Sequence, residues 1–262
     1  MIIRDSRIVI LAPHPDDEML ACFQVLRDST RYHNDVYVVF VTNGDYKNQE
    51  EIRAQEAKKA LADLGIPEYH IIHLGFSDMG MRKEKSQIYK LITCQNGDEI
   101  VSGNKGDYTN GPGTQKEFSY LKNGEHMLYT KNNLLNILNE VVTEIRPEYL
   151  FIPHRLDMHA DHVAVNMCVQ EMLRERKLPR DLIILQYLIH TLNDMTWPNR
   201  SGDQFECAPL FTEEEWGRRI IFTVNDPAEK ERHICIYDSQ KPRAFRKYLL
   251  SFSKKEEIYW KL

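Results

Sequence analysis

At 262 residues, 42% of them hydrophobic and 28% charged, the chain has apolar material for one substantial domain and too little length for two full-sized ones. A formal net charge of −5 with no basic run argues against nucleic acid as the main partner. No stretch of about 18 apolar residues is present to span a bilayer. Met1–Arg7 leads straight into the short apolar run Ile8–Ala12, without the longer apolar stretch and small-residue cleavage site of a signal peptide. The five cysteines are odd in number, far apart and without a C-x-x-C pair. A reduced, cytoplasmic protein without a cysteine-ligated metal is therefore expected.

In chain order, Arg7–Ala12 (RIVILA) is a β-branched run stopped by Pro13, the pattern of a buried strand. Asp16–Arg27 sets Met19, Leu20, Phe23 and Leu26 at helical spacing, with acidic residues in the first turn where the helix dipole favours them. Asp35–Thr42 (DVYVVFVT) is a second strand, ended by Asn43-Gly44. Asn48–Leu64 reads as an amphipathic helix with Gly65 as C-cap and Pro67 beyond, and Tyr69–Leu74 as a third strand. Thr93–Tyr129 breaks this rhythm. Rich in Gly, Asn, Lys and Asp, it reads as a long loop insertion at about 93–130, either a surface loop or an excursion over an active site.

Regularity returns with a helix over Lys131–Ile145, a strand over Tyr149–Ile152 and a helix over Asp161–Arg176. Leu182–Ile189 and Arg219–Val224 read as further strands. Asp226 is placed to cap a last helical region that opens at Pro227. The Lys254-Lys255-Glu256-Glu257 run reads as a solvated face. Strand–helix alternation predicts a Rossmann-like, doubly wound, mostly parallel α/β sheet in a single domain over 1–262. Ligands in such folds sit beyond the carboxyl ends of the strands.

Two clusters follow strands there. The first is Pro13-His14-Pro15-Asp16-Asp17-Glu18; the second runs from Pro153-His154 to Asp157-Met158-His159-Ala160-Asp161-His162. A lone His-Pro turn is usually only a turn, and Asp-Asp before a helix is usually a cap. Jointly they place several imidazoles and carboxylates at two strand ends, and adjacent carboxylates are costly to hold together without a cation. Imidazole plus carboxylate suits a divalent ion, most often zinc where the task is hydrolysis, held by three protein ligands. His154, His70, His73 and His190 read as framework residues, and Arg53 either pairs with Glu50 or Glu56 on its own helix or reaches a substrate.

The run Pro-His-Pro-Asp-Asp-Glu, followed about 140 residues later by His-x-Asp-His, resembles the paired signature of the LmbE/PIG-L sugar N-deacetylases. Arg53-Ala-Gln-Glu56, Leu74 to Met81 and Tyr237-Asp238-Ser239-Gln240 resemble that family's later motifs, so the resemblance spans residues 8 to 240. It implies one zinc per chain, with another divalent ion such as Fe2+ as the alternative, bound by His14, Asp17 and His162. It further implies Asp16 as general base and a protonated His159 steadying the tetrahedral species. Asp161 is either the carboxylate that orients an imidazole or the cap of its helix. Arg53 and Asp78 would contact sugar hydroxyls, the substrate being a small amino-sugar compound or glycoconjugate carrying an N-acetyl group. The residues 93–130 would then form the pocket rim, with Tyr108, Phe118 and Tyr120 stacking on a sugar.

The chain departs from the family in Met19-Leu20-Ala21-Cys22, in Asp157 where some members carry tyrosine, and in Tyr237 where histidine is common. The alternatives are an amidase for another amide of a sugar conjugate and an inactive carbohydrate- or metal-binding protein. A metal phosphatase or nuclease would want a second metal and more cations.

Overall fold

A computed structural model describes residues 1–191, 196–240 and 243–262. Strands β1 (Arg7–Ala12) and β2 (Asp35–Thr42) lie where their β-branched runs place them, residue for residue. In β1, Ile8, Ile10 and Ala12 face one core while Val9 and Leu11 face another. Both faces of the strand are therefore covered, which is why it reads as a continuous apolar run rather than an alternating one. The first layer holds α1 (Asp17–Arg27) and α2 (Glu50–Asp63). After β3 (Ile71–Phe76) come α3 (Gln87–Thr93), the short α4 (Phe118–Asn123), α5 (Lys131–Ile145), β4 (Tyr149–Pro153) and α6 (Ala160–Arg174). Helices α3, α5 and α6 build the second layer. The chain continues through β5 (Ile183–Tyr187), α7 (Glu213–Gly217), β6 (Ile220–Thr223), α8 (Pro227–Ile234), α9 (Arg243–Leu250) and β7 (Glu256–Lys261).

Among the described residues the sheet has seven strands in the order β3-β2-β1-β4-β5-β7-β6. The pairs among β3, β2, β1, β4 and β5 are all parallel, and β7 runs antiparallel to both β5 and β6. From β1 the chain steps outward to β2 and β3, then returns to lay β4 on the other side of β1. That reversal opens a crevice beyond the ends of β1 and β4, where doubly wound folds bind ligands. Both histidine clusters emerge there.

Strand β3 starts two residues later than the sequence pattern expects, because Glu68–His70 coil into a 3-10 turn after Pro67. The 93–130 stretch is less of a loop than expected. It begins within α3, contains α4, and pairs Tyr108 with Leu128. It also covers the edge of β3, where Asn110 N (3.1 Å) and the Tyr129 hydroxyl (3.0 Å) donate to Gly75 O. Gly75 has φ of +86°, and a Cβ there would lie 2.8 Å from Asn110 O, so this docking needs glycine.

The 254–257 run is not a solvated face. Lys254, Glu256 and Glu257 are buried, and Lys255 alone is exposed. β7 is an inner strand, and Glu257 accepts from Lys230 Nζ at 2.7 Å, Gln24 N at 3.1 Å and the Tyr259 hydroxyl at 2.9 Å. Charge alone misled the sequence reading, since buried ions are held where partners meet them. No helix among the described residues is long and apolar enough to cross a membrane.

Candidate metal centre and active site

Pro13 stops β1 and His14 turns into the crevice. Asp17 opens α1 and folds back, its Oδ2 accepting from His14 N at 2.8 Å. The same oxygen lies 3.4 Å from His14 Nδ1 and 3.3 Å from His162 Nε2. A tetrahedral ion with ligand bonds of about 2.0–2.1 Å has ligand–ligand edges of about 3.3–3.4 Å. Two edges of such a site are thus already set. His162 Nε2 is buried and, despite its nearness to Asp17, makes no aligned hydrogen bond, as a nitrogen whose lone pair is aimed at a cation would behave. The donor atoms of His14, His159 and His162 also fall within 4.8 Å of one another. Asp17 differs from His159 in carrying a charge that would offset a cation while lying against both imidazoles.

Each ligand imidazole has a carboxylate behind it. His14 Nε2 donates to Asp161 Oδ2 at 2.9 Å, and Ser86 Oγ donates to Asp161 Oδ1. With Nε2 facing Asp161, Nδ1 faces Asp17 and would be the atom offered to a metal there, and the His14–Asp78–Asp161 group shares His14 with the first. His162 Nδ1 lies 3.1 Å from Asp157 Oδ2, close but poorly aligned. Asp157 also accepts from His159 N, Ile189 N and His190 N, tying the β4 and β5 loops together. Asp161 faces the His14 imidazole and lies in the first turn of α6, not at its cap. The cap of α6 is His159, whose Nδ1 accepts from Asp161 N at 3.2 Å.

That contact also corrects the expectation for His159. Burial and the nearby His14, His162 and His190 push its pKa well below the ordinary histidine value. With Nδ1 accepting from a backbone N–H, the neutral ring carries its proton on Nε2 and offers a neutral donor, not a cation. His14 behaves oppositely: burial alone would lower it, but Asp78, Asp161 and Asp17 hold it well above the usual value. His162 is raised to about 10, with Asp157 and Asp17 overcoming its burial. This pocket of negative potential stabilises positive charge where the ligands meet.

Asp16 is no part of the donor triad. It has φ of 127°, a left-sided conformation that costs a non-glycine residue energy and tends to mark functional positions. Its N–H donates to Glu18 Oε2 at 3.0 Å, and the Tyr237 hydroxyl donates to Glu18 Oε1. Burial raises the Asp16 pKa, opposed by the Arg53 guanidinium 3.5 Å away. Arg53 does not pair along its helix. It is buried, reaching Asp78 Oδ2 at 3.1 Å and Pro15 O at 3.0 Å. Gly44, at φ +65°, makes room for it, since a Cβ there would lie 3.0 Å from Arg53 Nε. Glu56, one turn on, holds Ser239 N at 2.8 Å.

With this geometry, the PIG-L family, described as GlcNAc-PI de-N-acetylase, matches residues 9–173. The chain belongs to this family. The reaction class that goes with PIG-L membership is hydrolysis of an N-acetyl amide on a glucosamine-containing substrate. Solved structures with the same fold include N,N'-diacetylchitobiose deacetylase from Pyrococcus horikoshii, 14% identical with a TM-score of 0.60, covering 98% of this chain and 84% of that one. The teicoplanin deacetylase Orf2 in its zinc-inhibited form is 13% identical with a TM-score of 0.56, covering 97% of each chain. At 12% identity and a TM-score of 0.50, the 4-carboxy-2-hydroxymuconate hydratase GalB from Pseudomonas putida KT2440 shares the fold over 96% of this chain and 83% of its own. Fold alone therefore does not decide chemistry; the residues in the crevice do.

The PIG-L site opens into a cavity of about 330 Å3 that exposes His14, Asp16, Asp17, Arg53, Asp78 and His159 together. Leu20, Met81, Phe245, Tyr248 and Leu249 supply its apolar lining. Among the described residues none of 93–130 lines this cavity, while Asn104 lines an adjoining hollow that shares Tyr46, Lys47, Gly80 and Met81 with it. Phe118 packs against the second core, Tyr120 stacks on His126, and Tyr108 is exposed. His190, read as framework, is a site residue: it faces the cavity, lies 5.1 Å from the His162 ring and accepts the Tyr248 hydroxyl or donates to it at 3.1 Å. Its place directly beyond β5 was the signal that could have found it. His154 remains framework, packed between Phe211 and Trp260. His70 and His73 also stay outside, stacked on Tyr37 and Phe40.

Proposed function

We propose that this chain is a zinc-dependent N-deacetylase of small amino-sugar compounds, with His14, Asp17 and His162 holding the metal. The observation that carries the reading is one carboxylate oxygen at a tetrahedral edge from two imidazole nitrogens, with a second, non-ligand carboxylate in the same cavity. His14, Asp17 and His162 would hold a divalent cation there, which would supply an acidified water and polarisation of the amide carbonyl. Asp16, its pKa raised toward neutrality by burial, takes the proton of the attacking water and delivers it to the leaving amine. Glu18, itself fixed by Tyr237, holds the Asp16 backbone in its strained turn. His159 donates from Nε2 to the developing oxyanion, where a preorganised donor acts with little reorganisation. Asp161 and Asp157 keep His14 and His162 aimed. Arg53 and Asp78, already paired, present a donor and an acceptor edge to sugar hydroxyls. A compartment with reduced thiols suits a chain in which none of the five cysteines forms a disulfide.

The test is Asp16→Asn. It should keep zinc at one per chain by elemental analysis while acetate release from N-acetylglucosamine compounds falls about 10²–10⁴-fold. Loss of zinc from the folded variant would make Asp16 a ligand and overturn the division of roles.

A further inference from the structure

The crevice is laid out along the edge of the sheet in strand order. Asp78 follows β3, His14 follows β1, His159 and His162 follow β4, and His190 follows β5. Neighbouring strands lie about 4.8 Å apart. Asp78 and His190 therefore mark two ends of the site, with the histidine cluster between them. Contacts keep the same order: Asp78 Oδ1 lies 3.9 Å from His14 Nε2, and the His159 ring centre lies 4.5 Å from that of His14 and 5.4 Å from that of His190. Arg53 sits at the first end, on Asp78.

Apolar side chains gather at the other end, beside His190. Phe245, Tyr248 and Leu249 share one face of α9 at helical spacing and all line the cavity, whereas Arg246 and Lys247 are exposed and do not. Leu20, less than a turn beyond Asp17 in α1, joins them in the lining and packs with Tyr248 and Leu249 in the first core. Tyr248 has no polar hydrogen to spare. Its hydroxyl donates to Ile189 O at 2.8 Å, so in the 3.1 Å contact with His190 it is Nδ1–H that donates to the tyrosine oxygen. The tyrosine is left to offer the cavity its ring, with Phe245 at a right angle to it and ring centres 6.1 Å apart. Gln240, also in the lining, turns its amide onto Ser239 Oγ at 3.0 Å.

We propose that this end of the cavity is an acyl pocket, which takes the carbonyl side of the scissile amide and accepts straight chains from butanoyl to hexanoyl as well as acetyl. The inference rests on the deacetylase reading, which puts the sugar at Arg53 and Asp78 and the carbonyl carbon beside Asp16 and His159. A secondary amide is trans, so the group on its carbonyl carbon points away from the sugar. With the sugar at the β3 end, that group runs toward β5, where α9 meets it. Acetyl brings a single methyl to Leu20, Phe245, Tyr248 and Leu249, whereas a longer chain covers them. Each further methylene buried there is worth about fourfold in affinity.

The experiment uses zinc-loaded protein and glucosamine carrying N-acetyl, N-propanoyl, N-butanoyl or N-hexanoyl. All four release the same amine, whose appearance gives kcat and KM, and calorimetry on zinc-loaded D16N gives the affinities of the intact amides. From acetyl to butanoyl kcat/KM should rise at least about tenfold, two methylenes' worth. The gain should fall in KM with kcat nearly constant, because contacts to a non-reacting chain act alike in ground and transition states. Phe245 is only partly buried, so F245S should fold, as circular dichroism checks, and should lower the gain per methylene. Amine released equally fast from all four, or faster from acetyl, would overturn the pocket, as would a gain per methylene unchanged in F245S. Release from none of the four, with affinities still rising along the series, would instead remove the deacetylase reading and leave the acyl pocket standing.

Discussion

Asp161→Ala isolates how much a ligand's support is worth. Asp161 is fully buried and holds His14 Nε2 across 2.9 Å, the only described contact that fixes the ring's far edge at hydrogen-bond distance. A hydrogen bond to a charged group contributes about 1.5–3 kcal/mol. Part of that orients Nδ1 and makes it a better donor, so zinc affinity should fall about 10–100-fold, the range typical of lost outer partners. Asp161→Asn keeps an acceptor for Nε2 but loses the charge, and should fall between the two. Ser86 retains its cap on Tyr89 N at 3.0 Å, so α3 should persist in both variants. Competition against a chromogenic chelator gives the affinities, and circular dichroism checks the fold. An Asp161→Ala protein with native spectrum and zinc affinity within about threefold of the parent would refute the reasoning.

Three further outcomes are expected. His159→Ala should keep zinc and lower kcat about 10²–10³-fold with little change in KM, since the donor acts mainly in the transition state; loss of zinc would make it the third ligand in place of Asp17. Burial holds the folded-state pKa of His73 and His154 at about 4, below the ordinary 6.5. The unfolded chain then binds more protons between those values, so stability is full above about pH 6.5 and falls toward pH 4, by roughly 3 kcal/mol per histidine. His73→Phe should remove its own share, roughly 3 kcal/mol, of the acid limb in urea melts across pH, to which His190 also contributes, and an unchanged limb would place its origin elsewhere. Lys230→Met strands Glu257 in the interior and should cost about 3–5 kcal/mol in unfolding free energy; a change below about 1 kcal/mol would show that Glu257 is neutral there.

The strands and helices that carry the triad were legible because their signals are local. β1 and β2 are continuous β-branched runs with breakers at Pro13 and Asn43-Gly44, and α5 is bounded by Thr130 and Ile145 as its pattern predicts. That the His14–Glu18 and His154–His162 clusters meet followed from two strand ends and the switch-point rule, whereas the choice of His14, Asp17 and His162 within them came from the family resemblance. What was not legible depends on contacts distant in sequence. Glu257 and Lys230 look like surface ions until β7 is seen inside the sheet. His190 is unremarkable as text and enters the site only because β5 ends beside β4. The backbone of Asp16 leaves no trace in composition. The tautomer of His159 turns on one backbone N–H, which no residue pattern encodes.

The apolar wall has a consequence for how such proteins diversify. The proposed ligands and base all fall within residues 9–173, where the family is recognised, while Gln240, Phe245, Tyr248 and Leu249 come from well beyond that stretch. The proposed chemistry and the Arg53 and Asp78 sugar contacts are therefore written in the earlier segment, and much of the apolar wall in the later one. Recombination that exchanges the later segment, provided the Tyr237 contact to Glu18 and the Glu56 clamp on Ser239 are both matched, would hand an intact hydrolytic engine a new clientele.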